Sequence, residues 1–227
     1  MGVLALLELG ADRDLSDAAR LLGCRPKEVH LQAALFSELR CVYLRNPKVA
    51  NSTILQTLGA TKEQVESGIR DNPGALAKAL RDPAVFKFTF VRNPYSRVLS
   101  AYLDKIVRCE KRGNAGLPAE GDVTLLEFLE AIRSHNPRKM NRHWRPQSVQ
   151  VSFPADFIGK LERFDEDFAF VTRELGIEGV PVNTKQEERT NARDRLRDYI
   201  GLREKALIDE IYAVDFERFG YERRLPE

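Results

Sequence analysis

The sequence predicts a three-layer α/β protein in which a mostly parallel central sheet is flanked by helices. Two stretches, residues 41–58 and 87–106, each show an apolar run, a polar turn with proline and then a helical pattern. A strand followed by a helix is the repeating unit of such folds. The 227 residues suffice for one sizeable domain of this class and are few for two. We expect ligands to bind at the C-terminal ends of the strands.

The first stretch predicts an anion site. Cys41–Leu44 favours a buried strand, Arg45–Lys48 a polar turn, and Asn51–Thr53 a helix start. The first amides of a helix have no internal partner and can donate to a phosphate, while Lys48 and two hydroxyls of the helix start add further donors. The stretch contains no glycine, so it is not the glycine-rich nucleotide loop. Taken alone, it is equally compatible with a surface turn before a core helix.

The second stretch carries similar chemistry. Phe88–Val91 predicts a buried strand that runs into Arg92–Pro94, whose proline suits the first turn of a helix. Ser96, Ser100 and Asp104 follow at intervals of four and share one face of that helix. The sequence therefore predicts two strand-to-helix corners that each offer a cation and hydroxyl groups.

Charge is distributed unevenly along the chain. The net charge of +2 argues against a general nucleic-acid binder, and an apolar share of 43% with 31% charged residues indicates a globular protein. Three windows contain no acidic residue: 39–62, 83–103 and 133–155. They coincide with the two corners and with a basic His-Trp segment, as expected if these segments meet around a polyanionic ligand.

The sequence indicates neither a metal site nor a disulfide framework. The three cysteines lack CxxC spacing. They are Cys24, Cys41 and Cys109. Met1–Ala11 is apolar but has no basic leader and soon meets acidic residues, and no apolar run approaches the length of a membrane span. We expect no metal and no membrane span.

Residues 1–40 predict a helical extension that precedes the main domain, residues 41–227. Ser16 can cap a helix that ends at Gly23, and Pro26–Leu39 predicts the next helix. Two small helices with basic residues between them also occur in helix-turn-helix DNA readers. A cap on the sheet, or part of an acceptor or dimer surface, is the preferred interpretation.

Local patterns predict the remaining elements. Thr124 is a suitable cap for a helix that ends at Arg133, and Asp165 for one that ends at Leu175. Pro181–Arg197 predicts a charged surface with salt pairs along a helix. Other predicted elements are helices over 61–81 and 202–212 and a short strand over 156–159.

The segment from Ser134 to Ser152 is the most basic part of the chain. Arg138 and Lys139 fit a solvated loop. His143 is the candidate general base, because an imidazole of near-neutral pKa would stand beside Trp144 as a stacking surface. The two alternative bases are His135 and Glu162.

The sequence resembles the sulfotransferases, and most of all the carbohydrate sulfotransferases. The likeness spans about Cys41 to Tyr221 and is carried by five motifs in the same order. They are Lys48–Thr53, Arg92–Tyr102, His143–Gln147, Asp156–Glu162 and Asp215–Tyr221. It implies a P-loop-NTPase-like sulfotransferase domain and the donor 3′-phosphoadenosine 5′-phosphosulfate (PAPS).

The resemblance also implies roles for individual residues. Lys48 would hold the 5′-phosphosulfate and stabilise the leaving oxygen during in-line transfer, Arg92 and Ser100 would hold the 3′-phosphate, and His143 would take the proton of the acceptor hydroxyl. The donor-binding residues expected in full are Arg45, Lys48, Val49, Ala50, Asn51, Ser52, Thr53, Arg92 and Ser100.

Several expectations concern partners and alternatives. The animal Golgi enzymes of the family have an N-terminal anchor, which this sequence lacks, so we expect a cytoplasmic bacterial enzyme or a Golgi-type domain without its anchor. The acceptor is expected to be a hydroxyl of a sugar, and the oligomeric state is open. Alternative functions are a nucleotide or sugar kinase, which would need magnesium, and a non-catalytic anion- or DNA-binding module.

Overall fold

A computed structural model describes residues 3–108, 111–177, 179 and 191–226, with side chains from residue 12 onward. Cys109 and most of the predicted charged segment Pro181–Arg197 lie outside the described residues. The chain forms two compact units. The first comprises Met1–Asn46, Ala50–Phe90 and Val151–Thr184. The second comprises Pro47–Val49, Val91–Gln150 and Lys185–Glu227.

The structure is α/β, with helices that flank a four-stranded sheet of order β1-β2-β3-β4. The strands are β1 (Ala33–Phe36), β2 (Cys41–Leu44), β3 (Phe86–Val91) and β4 (Phe157–Lys160). β2 and β3 are parallel, with Cys41 opposite Phe86. β1 adds to the edge of β2 in antiparallel register, with Ala33 opposite Leu44.

Helices account for most of the remaining regular structure in the described part of the chain. In chain order they are α1 (Val3–Leu22), α2 (Val29–Gln32), α3 (Asn51–Thr57), α4 (Lys62–Asp71), α5 (Pro73–Arg81), α6 (Pro94–Ala101), α7 (Leu125–Arg133), α8 (Gln147–Gln150), α9 (Phe164–Glu174), α10 (Leu196–Tyr199), α11 (Leu202–Ile211) and α12 (Ala213–Arg218). A π-helical turn, Tyr102–Ile106, continues α6.

Local signals place many of these elements correctly, but two predicted helix caps are wrong. Ser16 lies inside α1, and Asp165 lies inside α9, which begins at Phe164. α6 begins at Pro94, and the Asn93 side chain accepts the amide hydrogen of Tyr95. Thr124 caps α7 as predicted, in a reciprocal pair with Glu127. The predicted helix over Pro26–Leu39 is wrong in its second half, because β1 occupies residues 33–36 and hydrogen-bonds to the buried strand β2.

The first unit has an aromatic core built around Phe90 of β3. The rings of Phe164 and Phe168 lie 5.2 and 5.9 Å from it, and Phe157 of β4 lies 6.4 Å away, centroid to centroid. Gly159 of β4 faces the same ring so closely that an added Cβ would come within 2.4 Å of it. Glycine is therefore required where β4 crosses this aromatic group.

The second unit packs α6, α7, α11 and α12 around a separate apolar core. Tyr95, Phe128, Trp144 and Phe216 are among its fully or almost fully buried members. The Trp144 ring meets Phe128 edge-on at 5.5 Å, and the Tyr212 hydroxyl donates to the Trp144 carbonyl at 2.8 Å. Trp144 is thus a core residue, so the predicted role as a stacking surface is wrong.

No helix among the described residues is long and apolar enough to cross a membrane.

Candidate functional site

The loop between β2 and α3 has an unusual backbone. Lys48 and Ala50 adopt left-handed conformations, with φ of 70° and 52°. Such values cost about 1 kcal/mol or more in residues other than glycine, so the surrounding structure must hold them. The first helical hydrogen bond runs from the Ile54 amide to the Ala50 carbonyl at 2.9 Å. The amides of residues 51–53 therefore lie in the first turn of α3, ahead of its first internal hydrogen bond.

Arg45 is buried in the first unit with 0% exposure. Its guanidinium donates to the His30 carbonyl at 2.9 Å and to the Glu66 carboxylate at 3.2 Å. Its Nε also donates to Oδ1 of Asn51 at 3.3 Å, at the first position of α3. This geometry favours a supporting role for Arg45, which orients the start of α3, over contact with a ligand.

The other predicted residues around α3 differ in exposure. Val49 and Ala50 are buried, and Thr53 is 1% exposed. Ser52 is exposed and Asn51 is half-buried. Of the two hydroxyls predicted to bind an anion here, that of Ser52 is the more accessible.

Lys48, in the second unit, forms an ion pair with Asp104. Lys48 Nζ lies 2.9 Å from Asp104 Oδ2, and the two side chains are 16% and 18% exposed. Burial lowers the pKa of Lys48, and Asp104 opposes this effect. Burial alone would raise the pKa of Asp104, but Lys48, with help from Lys105, lowers it below the usual value. Lys48 is therefore paired with a carboxylate in a partly desolvated place.

Asp104 collects further cations. Lys105 Nζ lies 3.3 Å from Oδ2 and Arg108 Nη1 lies 3.4 Å from Oδ1. Asp104 and Lys105 both lie on the π-helical turn, where the Val107 amide donates to the Tyr102 carbonyl at 3.0 Å. Such turns occur often at functional sites.

Arg92 belongs to the same unit and is half-buried. Its Nη1 lies 3.4 Å from the Lys48 carbonyl and its Nε donates to the Ser96 hydroxyl at 2.9 Å. Ser100, the predicted partner of Arg92, lies one turn further along α6 and is 3% exposed. The structure thus brings Lys48 and Arg92 together and adds Ser96, which the sequence reasoning did not assign.

A buried polar network fixes the backbone of Arg92. The Gln147 side chain accepts from the Arg92 amide at 2.9 Å and donates to the Arg92 carbonyl at 2.7 Å. The Asp215 carboxylate, which is 0% exposed, accepts from the amides of Gln147 and Ser148 at 2.7 Å each. Residues far apart in the sequence therefore set this corner.

His143 faces the cations of the second unit. Burial, followed by the charges of Arg142, Lys105, Lys48 and Arg97, lowers its pKa to about 3. Its Nδ1 is buried and has no hydrogen-bond partner among the described residues. The expectation of a near-neutral pKa is wrong for this state of the protein, and His143 is neutral at physiological pH. A neutral imidazole with an open nitrogen can accept a proton.

The alternative bases lie in other surroundings. His135 is half-buried, beyond the end of α7 in the second unit, and Glu162 is exposed in the first unit. Arg138 and Lys139 are exposed, as the predicted solvated loop requires. No group of three or more potential metal ligands occurs among the described residues.

Two residues of the site, the buried Arg97 and the half-buried Asp104, had no assignment from the sequence. Arg97 is 1% exposed, and within the described part of the chain its side chain donates only to backbone carbonyls. Asp104 stood out only as a member of a regularly spaced series on one helix face. The available signal was the position of Arg97 in the acid-free window 83–103, where a buried guanidinium must find partners other than nearby carboxylates.

The sequence is similar to those of known proteins. A family model described as "Sulfotransferase family" matches residues 36–222. Carbohydrate sulfotransferase 14 of Danio rerio is 28% identical, over 81% of this chain and 60% of that protein. Carbohydrate sulfotransferase 14 of Homo sapiens is 39% identical over 36% of this chain and 26% of that protein. Carbohydrate sulfotransferase 9 of Homo sapiens is 30% identical over 60% and 37%. No solved structure matches the chain.

The chain thus spans 60% or less of the length of these three relatives. All three come from vertebrates and give no support to the prediction of a bacterial, cytoplasmic enzyme.

Proposed function

The chain belongs to the sulfotransferase family, whose model matches residues 36–222, and from this premise we propose that it transfers a sulfuryl group from PAPS to a carbohydrate hydroxyl. The family resemblance noted in the sequence is confirmed. The donor, the acceptor class and the mechanism belong to the proposal. The division into residues 1–40 and 41–227 and the three-layer, P-loop-like architecture also stay predictions.

One observation supports this function most directly. Lys48, Arg92 and His143 belong to a single compact unit, in which Arg92 touches the Lys48 carbonyl and the charge of Lys48 acts on His143. A phosphosulfate ester carries negative charge that needs such cations, and an acceptor hydroxyl needs a base close to them. A site that only binds phosphate would not need the neutral imidazole of His143 beside its cations.

We assign the donor as follows. Lys48 holds the 5′-phosphosulfate. Arg92 holds the 3′-phosphate together with Ser96 and Ser100 of α6. The residues Val49 to Thr53 are kept as donor contacts on the strength of the sequence motif. Arg45 orients Asn51 and does not itself touch the donor.

The chemical step needs two events at Lys48 and His143. The acceptor hydroxyl attacks sulfur while the bond from sulfur to the phosphate oxygen breaks, and Lys48 stabilises the negative charge that grows on that oxygen. His143 takes the proton of the hydroxyl. Burial depresses the pKa of His143 most, and the nearby cations depress it further. The negative charge of the donor offsets the effect of the cations, so donor binding makes the imidazole a stronger base.

The acceptor class rests on two supports. Two relatives to which the chain is similar, from Danio rerio and Homo sapiens, are carbohydrate sulfotransferases by name. The exposed cations Arg138 and Lys139 lie a few residues before His143 and suit a sugar chain that already carries negative charge. The compartment stays a prediction with the two alternatives given above.

Isothermal titration with 3′-phosphoadenosine 5′-phosphate (PAP), the desulfated donor, tests the assignment. We expect binding in the micromolar range, weakened about 10- to 100-fold by Lys48→Ala and by Arg92→Ala. Lys205→Ala is the matched control, because Lys205 forms a similar partly buried pair with Asp209 in the same unit. The wild type should bind ATP and AMP far more weakly than PAP.

The alternatives make different predictions. A nucleotide or sugar kinase would bind ATP with magnesium better than PAP, and a DNA-binding module would leave PAP unbound. Either outcome in the wild type would overturn the donor assignment. If PAP binds but no carbohydrate accepts sulfate from PAPS, the donor assignment stands and the acceptor class falls.

A further inference from the structure

Arg97 connects two segments of the candidate site. It is 1% exposed on α6, in the second unit. Its Nε donates to the Pro47 carbonyl at 3.2 Å, and its Nη2 donates to the Arg142 carbonyl at 3.3 Å. A third bond, from Nη1 to the Arg145 carbonyl, measures 2.9 Å. One guanidinium therefore holds the loop that carries Lys48 and the segment that carries His143.

The identity of these carbonyls matters. The Pro47 carbonyl and the Lys48 amide form one planar peptide group, and so do the Arg142 carbonyl and the His143 amide. Fixing each carbonyl fixes the plane from which the next side chain starts. The His143 amide is held on its other side by Oδ1 of Asn141 at 3.1 Å. Lys48 needs such a constraint, because its φ of 70° is unfavourable for a lysine.

The charge of Arg97 has no ion-pair partner among the described residues. Burial lowers the pKa of its guanidinium, while the charge of Asp215, further off, opposes this effect. A buried cation satisfied by carbonyl groups alone is expensive for a fold, and apolar packing would often serve stability as well or better. This cost points to a role beyond packing.

We propose that Arg97 is a positioning residue for the transfer reaction, setting the Lys48 and His143 peptide groups at once through its contacts with Pro47 and Arg142. This inference rests on the proposed function for its catalytic consequence. The planar guanidinium presents several N–H groups in fixed directions, so it serves both segments together. A lysine ammonium is a single flexible point and cannot reproduce this arrangement.

The chain offers a matched control. Arg112 of the second unit is 5% exposed and also bridges two backbone carbonyls, those of Ile106 at 2.9 Å and Gly121 at 2.6 Å. Its bonds do not reach the Lys48 loop or the His143 segment. Arg112→Lys therefore removes the same kind of buried hydrogen bonds as Arg97→Lys, but it should leave Lys48 and His143 in place.

The first experiment compares the two variants by kcat and KM for transfer from PAPS and by thermal unfolding. Misplacement of catalytic groups by about 1 Å can cost about 100-fold, so we expect a loss of that order in kcat for Arg97→Lys. Arg112→Lys should lower the melting temperature similarly and leave kcat near the wild-type value. Equal kcat values in the two variants would overturn the inference.

The second experiment asks whether Arg97 acts through Lys48 and His143. In a Lys48→Ala or a His143→Ala background, Arg97→Lys should lower the remaining activity much less than in the wild type, because the group to be positioned is gone. An equal fold-change in activity in every background would show that Arg97 contributes to general stability and does not position Lys48 or His143. If Arg97→Lys does not fold, Arg97→Gln takes its place. Failure of both to fold, while Arg112→Lys folds, would also overturn the inference.

A third measurement separates this inference from the proposed function. In amide NMR spectra, Arg97→Lys should shift the signals of Lys48 and His143, whereas Arg112→Lys should not. A wild type without PAP binding or transfer would remove the proposed function, and these signals would still decide whether Arg97 positions the two groups. Unchanged signals of Lys48 and His143 would refute it.

Discussion

The Lys48 ammonium donates to the Asp104 carboxylate at 2.9 Å, inside a cluster that Lys105 and Arg108 also join. A donor phosphosulfate that binds Lys48 must compete with this carboxylate and must also approach its negative charge. If Lys48 binds the donor as proposed, Asp104 holds Lys48 in place before the donor arrives and opposes donor binding afterwards. The nearby Lys105 and Arg108 offer the carboxylate other partners when Lys48 turns to the donor.

Asp104→Asn should strengthen the binding of PAP. The substitution keeps the shape of the side chain but removes its charge, so we expect a dissociation constant about 3- to 10-fold lower at low salt, with a smaller effect at high salt. Titration calorimetry at two salt concentrations measures this. Asp209→Asn, which changes the Lys205 pair, is the control and should have no effect. Weaker binding of PAP to Asp104→Asn would show that the carboxylate orients Lys48 for the donor.

His143→Ala should lower kcat by about 10²- to 10⁴-fold, the usual contribution of a positioned base. Binding of PAP should change little, because removal of a neutral imidazole leaves the cations in place. Steady-state transfer assays and titration calorimetry measure the two quantities. The same substitution at His135 provides the comparison and should keep kcat near the wild-type value. If His135→Ala loses activity and His143→Ala does not, the base is His135.

The lowered pKa of His143 predicts how stability depends on pH. The imidazole is neutral in the folded protein down to a pKa of about 3, whereas the unfolded chain takes up the proton near the usual value of 6.5. Between these two values the unfolded state binds more protons, so the free energy of unfolding falls as the pH is lowered. By pH about 4 the loss from His143 should reach up to about 3 kcal/mol.

Urea unfolding of wild type and His143→Gln at pH about 7 and about 4 checks this dependence. Both proteins lose stability from other groups, but the wild type should lose more. Parallel pH dependence in the two proteins would contradict the burial of a neutral imidazole at this position.

Gly159→Ala should destabilise the first unit. A Cβ at this position would come within 2.4 Å of the Phe90 ring, so β4 or the aromatic group would have to shift, at a cost of about 1–3 kcal/mol. Gly68→Ala in α4 is the matched control, because a Cβ there meets nothing within 4 Å. Alanine favours a helix over glycine by about 0.5–1 kcal/mol, so this variant should gain stability. Chemical denaturation of both variants measures the difference.

Strong local signals predicted most of the fold. Phe88–Val91 followed by Arg92–Pro94 predicts a strand and a helix start, and the structure has β3 and α6 there. The edge strand β1 could not be predicted in the same way, because its sequence, Ala-Ala-Leu-Phe, favours a helix as much as a strand. Only its hydrogen bonds to β2 decide the outcome, and those partners follow it in the sequence.

The candidate site was predictable in its residues but not in its electrostatics. The motifs identified Lys48, Arg92 and His143, and the structure places all three in one unit. The pKa of His143 depends on burial and on cations contributed by several segments, and Trp144 packs against Phe128 of α7. Burial and charge of this kind arise from tertiary contacts, and no spacing along the chain encodes them.

The hydrogen bonds from the amides of Gln147 and Ser148 to Asp215 also constrain the order in which the second unit can fold during synthesis. Because the ribosome makes the chain from its N-terminus, Arg92 and Gln147 emerge long before their last partner. The amides of Gln147 and Ser148 must wait for α12 before they gain a carboxylate acceptor. The second unit therefore completes its polar network only after Asp215 has left the ribosome, whereas β1 to β3 of the sheet can pair much earlier.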